Sequence, residues 1–221
     1  MTYILQIETA TRNCSVALAK DGQTLFCKEI AESGYSHAEK LHVFIEEILK
    51  EAQLRFEELS AIAVSQGPGS YTGLRIGVSA AKGLCYSLNI PLLAIDTLET
   101  LARKINPEKG VIIPMIDARR MECYTAVFDT NHQKVRAVQS EIIDKNSFSE
   151  IVSEIHLVGD GAAKCKSVLS DDRFVFHDQW EFPSAKEMSE IAYAKYQAND
   201  TVDVAYFEPF YLKDFMLPSS K

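Results

Sequence analysis

The chain has no run approaching the ~18 apolar residues of a membrane span, and no basic flank precedes its first short apolar run, MTYILQIETATRN. Neither a spanning helix nor a leader peptide is expected, and the protein is expected to be cytoplasmic, with no membrane partner. Cysteines number five, are odd in count and scattered, and include no CxxC pair. They read as small buried hydrophobes of a reducing compartment, not as a disulfide frame or a zinc ribbon. Of the five histidines, only His37 and His42 are close in sequence, and five residues is about 140° round a helix. HExxH and HxxxH are absent, so a zinc hydrolase has no ligand set here, and surface or half-buried histidines are expected. Positive charge is also short: 23 Lys and Arg stand against 31 Asp and Glu, a formal net charge of −8. Such a surface lacks the field that gathers phosphates, so the isolated chain is expected to bind nucleic acid poorly.

What is present is an ordinary globular composition, 47% hydrophobic and 24% charged over 221 residues, enough for two lobes with a core each. Apolar or alternating runs at 3 to 9, 14 to 20 and 23 to 30, with Asp21-Gly22 as a tight turn, predict an antiparallel meander. Ser36 and Glu39 form a capping box ahead of Leu41, Phe44, Ile45, Ile48, Leu49 and Ala52 at helical spacing. Ala61 to Val64 reads as a strand buried on both faces, Ser70 to about Leu88 as a helix, and Leu92 to Ile95 as a fifth strand. That order, βββαβαβ, is half of an actin-like or ribonuclease-H-like α/β fold. Asp96 with Glu99 predicts a further helix carrying Leu98, Leu101, Ala102 and Ile105, broken at Asn106-Pro107. The lobes are placed at 1–106 and 107–221. Apolar runs at 111 to 117, 122 to 129 and 134 to 143 repeat the three-strand opening, and Ser147/Glu150 and Ser184/Glu187 predict two more helix starts.

Four of the ten glycines fall in Ser65 to Gly77, SQGPGSYTGLRIG. No lysine follows Gly73, which excludes a Walker A loop, and Thr72 stands where a dinucleotide fingerprint needs its third glycine. A helix start at Gly67, Gly69 and Ser70 still offers backbone N–H groups to an anion. No GxSxG elbow occurs, so the serines read as caps and turn residues. Gly73, Gly77, Ala80 and Ala81 leave one side of the helix bare, at a cost of about 1 kcal/mol per interior glycine. Something must approach closely there: the protein's own sheet or first helix, or another subunit. Among carboxylates, Glu8, Asp96 and Asp117 end strands, where they act either as caps or as groups facing a cleft.

Ile7-Glu8-Thr9-Ala10-Thr11, then Cys14 to Leu18, then SQGPGSYTGLRIG with Ala80-Ala81-Lys82-Gly83-Leu84, then Ile116 to Tyr124 (IDARRMECY), closely resemble the TsaB (YeaZ-type) family, and the resemblance runs on to Pro209-Phe210-Tyr211-Leu212. It implies an actin-like ATPase (ASKHA) fold and a part in making N6-threonylcarbamoyladenosine at adenosine 37 of tRNAs that read codons beginning with A. In that system TsaD is the catalytic subunit, TsaE an ATPase, and TsaB the dimerisation partner that activates TsaD. Similarity to M22 glycoproteases comes with the lineage.

The resemblance also locates what this chain has lost. The metal-binding HxxxH of the catalytic relative falls on Thr97 and Leu101. The first phosphate loop is Glu8-Thr9-Ala10-Thr11, without its glycine; the second is Asp117-Ala118-Arg119; the adenosine glycine pair is split into Gly159-Asp160-Gly161. Glu8, Thr9, Thr11, Gly67, Gly69, Ser70, Asp117, Arg119, Gly159 and Gly161 are therefore the candidates for a residual nucleotide or anion site. No catalytic or metal residue and no tightly bound cofactor is expected, with ATP or ADP only at a site shared with a partner. The expected partner surface is Leu41, Ile45 and Ile48 of the first helix with Gly73, Leu74, Gly77, Ala80, Ala81 and Leu84 of the glycine-rich helix. The same surface supports a homodimer when the chain is alone, and tRNA is reached through the complex. The competing expectation is an autonomous ATP-binding enzyme or an M22-type peptidase.

Overall fold

A computed structural model describes residues 1–31 and 37–212. The opening meander is β1 (Tyr3–Glu8), β2 (Cys14–Lys20) and β3 (Gln23–Ile30), paired antiparallel, with Asp21 and Gly22 in the left-handed turn that joins the last two. Then come α1 (His37–Ala52), a 3-10 turn at Phe56–Glu58, β4 (Ala61–Gly67), α2 (Tyr71–Leu88) and β5 (Leu92–Asp96). β4 and β5 add in parallel beside β1, giving the order β3-β2-β1-β4-β5. Helix α3 (Thr97–Ala102) leads to a second meander, β6 (Val111–Asp117), β7 (Glu122–Phe128) and β8 (Lys134–Ile142), then β9 (Ile155–Val158), α4 (Asp160–Cys165) and β10 (Phe174–Phe176). The second sheet is ordered β10-β9-β6-β7-β8, the same arrangement as the first once strands are matched in chain order. Two sheets of this one topology make the α/β fold of the actin-like ATPases.

Local sequence explains most of these elements. In α1, Leu41, Ile45, Ile48 and Leu49 form one buried stripe, while Glu46, Glu47 and Lys50 face out. Burying four such side chains contributes roughly 6–12 kcal/mol before entropy is counted. The predicted cap Ser36 lies outside the described residues. Helix α2 starts at Ser70, whose Oγ accepts from the Gly73 N–H, and stops at Asn89 in the left-handed conformation. Asp96 caps α3 by accepting from the Leu98 and Glu99 N–H groups.

Two predicted helix starts turn out differently. The stretch after Ser147 forms turns and no helix: Asp144 and Ser147 bond each other locally, and Phe148 adopts a left-handed φ that no helix continues through. Ser184 precedes a 3-10 turn (Ala185–Met188) and α5 (Ser189–Gln197), but its hydroxyl bonds Ser15 on β2 and caps nothing.

Each sheet has its helices. α1 and α2 cover one face of the first sheet through Leu41, Ile45, Ile48, Val78, Ala81 and Cys85. The other face, Ile4, Ala61, Ala63, Leu93 and Ile95, is covered by Met188, Ile191 and Ala192. The chain therefore returns to the first sheet after completing the second; the 107–221 stretch contains elements that close the core of 1–106. Further on, Val202 bridges to Leu92, and the Phe210 N–H donates to Gln66 O at 2.7 Å. α3 packs on one face of the second sheet and α4 on the other. Among the described residues, no helix is long and apolar enough to cross a membrane.

Candidate functional site

The turn after β1 and the glycine-rich stretch meet face to face. Glu8 is fully buried; its Oε1 accepts from the Ala10 N–H at 2.7 Å, and its Oε2 has no hydrogen-bond partner among the described residues. Burial pushes this carboxyl up to about 7, against the opposing pull of the Ala10 N–H and Ser65. Thr9 N–H donates to Ser65 Oγ, and Thr9 Oγ1 donates to Gly73 O at 2.8 Å. Ser70 N–H donates to Ala10 O at 2.7 Å, and Thr11 Oγ1 accepts from the Asn13 N–H. The backbone groups that a phosphate loop presents to a ligand are here spent on the protein itself. The same contact explains the glycines. A Cβ at Gly69 would lie 2.3 Å from Ala10 O, and one at Gly73 would lie 2.1 Å from Thr9 O. At Gly67, φ is +112° and Phe210 O would be 2.7 Å from an added Cβ.

The second hairpin is equally self-engaged. Asp117 N–H donates to Asp160 Oδ1 at 2.9 Å, and Asp117 Oδ1 accepts from the Arg119 N–H and from Lys164 Nζ. Burial pushes Asp160 up to about 6 although it accepts from the Asp117 backbone. Gly159 and Gly161 let α4 press onto β6: an added Cβ would meet Met115 O at 2.2 Å and 3.0 Å respectively. Thus the residual-site candidates do gather at two strand ends, but through contacts with each other.

The expected partner surface needs correction. Leu41, Ile45, Ile48, Leu74 and Ala81 are at most 2% exposed, and all but Leu74 belong to the core cluster of the first sheet. Gly73 and Gly77 are not bare toward solvent: Thr9 fills the space, with its Oγ1 2.2 Å from where a Gly77 Cβ would sit. Helical spacing told that something approaches these glycines, and the approaching group is the protein's own first turn. Only Ala80 and Leu84 of that set keep part of their surface. The outward face of α2 is instead Thr72, Ser79, Gly83 and Tyr86, with Ile76 half-buried at its margin against the core. Gly83 has open space beyond it within 4 Å, and Tyr86 is 86% exposed. α1 lies alongside with Val43 exposed and Phe44 partly covered. Gly83 stood in the sequence as part of AAKGL; its spacing from Ser79 and Tyr86 was the available signal.

Between the sheets run two polar clefts, of about 380 and 460 Å³. Lys104 and Lys186 belong to them, both near the Trp180 ring. Lys104 is 5% exposed at its side chain and pairs with Glu187 at 3.1 Å. Burial raises the Glu187 carboxyl, and Lys104 opposes that. Asp96 is drawn into capping α3, away from either cleft lining. Two histidines are more buried than expected: His37 bonds Thr11 O, and His156 shares a hydrogen bond with His177 at 3.0 Å, a pair brought together across β9 and β10 from 21 residues apart. Thr97 and Leu101 are both fully buried, Thr97 accepting from the Gly67 N–H.

The family model described as TsaD, tRNA N6-adenosine threonylcarbamoyltransferase, matches residues 31–215. The tRNA threonylcarbamoyladenosine biosynthesis protein TsaB of Escherichia coli (strain K12) is 30% identical, over 96% of this chain and 94% of its own. YeaZ from Pseudomonas aeruginosa superposes with a TM-score of 0.83 at 24% identity, covering 96% of this chain and all of that one. Component A of the (R)-2-hydroxyglutaryl-CoA dehydratase of Acidaminococcus fermentans, at 11% identity, reaches 0.50 over 88% of this chain and 98% of its own.

Proposed function

Because the chain belongs to the TsaB (YeaZ-like) family of tRNA threonylcarbamoyladenosine biosynthesis proteins, we propose that it is the non-catalytic subunit that binds and activates a TsaD-type threonylcarbamoyltransferase, together with a TsaE-type ATPase. The observation that carries this reading is the self-filled first turn. With Thr9, Ala10, Ser70 and Gly73 N–H groups all engaged internally, the loop that cradles nucleotide phosphate in a working actin-like enzyme has little left to offer. Thr97 and Leu101, at the positions of the catalytic relative's metal ligands, supply a buried hydroxyl and an alkyl group. ATP or ADP then binds at a cleft that a partner completes, and tightly held nucleotide is not expected on the chain alone.

Docking is assigned to the outer face of α2 and the adjoining edge of α1: Ile76, Ser79, Ala80, Gly83 and Tyr86 with Val43. A glycine with nothing beyond it, beside an exposed tyrosine, suits a helix whose backbone must be approached by another subunit. The same face serves a homodimer, so self-association and heterodimer formation compete by mass action. The net charge of −8 fits a subunit that leaves most tRNA contact to its partners, in the cytoplasm where tRNA is modified. Gly83→Leu tests the assignment by sedimentation velocity with the transferase subunit. Association should weaken by about tenfold or more, as for a clash worth ~1.4 kcal/mol, while the thermal midpoint of the chain does not fall, since leucine is a better helix former than glycine. Undiminished association would place the interface elsewhere.

A further inference from the structure

We infer that the β6–β7 turn, through Arg119 and Arg120, is a contact point for the phosphodiester backbone of an RNA. The inference rests on the tRNA-modification reading and adds to it a surface on this chain. Both arginines are exposed, and within the described residues neither guanidinium makes a hydrogen bond or ion pair. They are consecutive and both left-handed, with φ of 75° and 51°, a conformation that disfavours residues with a Cβ and suits glycine and asparagine. The turn is also held firmly. Ala118 N–H donates to Glu122 O at 3.0 Å, Glu122 N–H donates to Arg119 O at 3.1 Å, and Arg119 N–H donates to Asp117, which Lys164 grips in turn. The carboxylates of this turn have partners of their own: Asp117 holds the Arg119 N–H and Lys164, Glu122 accepts from Ser140 Oγ, and Asp160 accepts from the Asp117 N–H. Two free guanidinia on a fixed turn thus stand out from a surface of opposite net charge.

The geometry favours a polyanion's exterior over a small nucleotide. A nucleotide needs a concave pocket and backbone donors, yet Arg119 and Arg120 line neither of the two clefts, and the Asp117, Ala118, Arg119 and Glu122 N–H groups are all taken. What remains are two long planar cations at a tip, which match phosphate oxygens of a strand passing over the surface. Such contacts position an RNA without reading its sequence.

The test replaces the pair by Arg119→Asn with Arg120→Gly, residues that favour the left-handed turn, so that the fold is kept or strengthened. Binding of unmodified tRNA to the complex assembled with the transferase is followed by fluorescence anisotropy between 50 and 200 mM salt. Two lost phosphate contacts should weaken binding by about tenfold and lower the slope of log K against log salt by about 1.5. Assembly of the complex and the thermal midpoint should be unchanged. An unchanged salt slope overturns the inference, as does a variant that binds tRNA normally but loses ATP or ADP in calorimetry, or one that fails to assemble. A parental complex that modifies tRNA while the variant pair binds it normally overturns the inference and leaves the functional reading standing. A parental complex that neither binds nor modifies tRNA overturns both.

Discussion

Gly73→Ala should destabilise the chain although alanine is the better helix former. The new Cβ would stand 2.1 Å from Thr9 O, a backbone atom that cannot swing aside, so β1's end or the start of α2 must shift. Overpacking of this kind costs about 1–3 kcal/mol. The shift also breaks the buried Thr9 Oγ1 donation to Gly73 O, now 2.8 Å, for about 1–3 kcal/mol more. Against this stands about 1 kcal/mol gained by removing a glycine from a helix interior. The net loss is about 1–5 kcal/mol, which for a domain of this size lowers the melting temperature by roughly 2–20 °C. Gly83→Ala is the internal control: ten residues along the same helix a Cβ meets nothing within 4 Å, so the propensity gain of about 1 kcal/mol stands alone and the midpoint rises by about 2–4 °C. Thermal unfolding followed by far-ultraviolet circular dichroism reads both. A neutral or stabilising Gly73→Ala would refute the claim that Thr9 fills the space beside the glycines.

Glu8→Gln should stabilise the chain at pH 8 and do little at pH 4. The folded carboxyl at about 7 lies above its ordinary 4.5, so the folded state holds the proton more tightly and loses stability as pH rises between those values. The shift corresponds to about 3 kcal/mol, and denaturant melts that show no pH-dependent difference between the two proteins would contradict it. Lys104→Ala should lower the urea midpoint by the equivalent of about 3 kcal/mol at pH 8, because Glu187 is left charged and poorly solvated. The deficit should shrink as the pH is lowered, because burial already raises the Glu187 carboxyl and removal of Lys104 takes away the charge that opposes that rise. A pH-independent deficit would mean that lost packing, not charge, dominates.

How far the sequence could be read depended on the range of the interaction. Strands β1 to β8 follow from apolar runs and turn residues, and α2 from helical spacing between Ser70 and about Leu88, all signals within a few residues. The purpose of Gly73 and Gly77 was half legible. Spacing shows that something approaches the helix, but the group that does so, Thr9, is 64 residues away from Gly73 and follows a different strand. The same limit hides the pairing of Lys104 with Glu187, and the return of Met188, Ile191 and Ala192 to the first sheet, because no local pattern says which of two cores an amphipathic turn will close. Ser147 failed in the opposite way: its capping box is present, but Asp144 offers a nearer partner and the turn wins. Arg119 and Arg120 were visible as residues, while their left-handed backbone, and guanidinia without a partner among the described residues, needed the fold.

The central claim, that this chain acts as a required subunit without a catalytic site of its own, is tested most directly by reconstitution. Formation of threonylcarbamoyladenosine on unmodified tRNA is measured with the transferase and ATPase subunits in the presence and absence of this chain, and with Glu8→Gln in its place. The account predicts modification that depends on the chain and survives Glu8→Gln. Full modification without the chain, or activity abolished by Glu8→Gln in a folded and assembled complex, would contradict it.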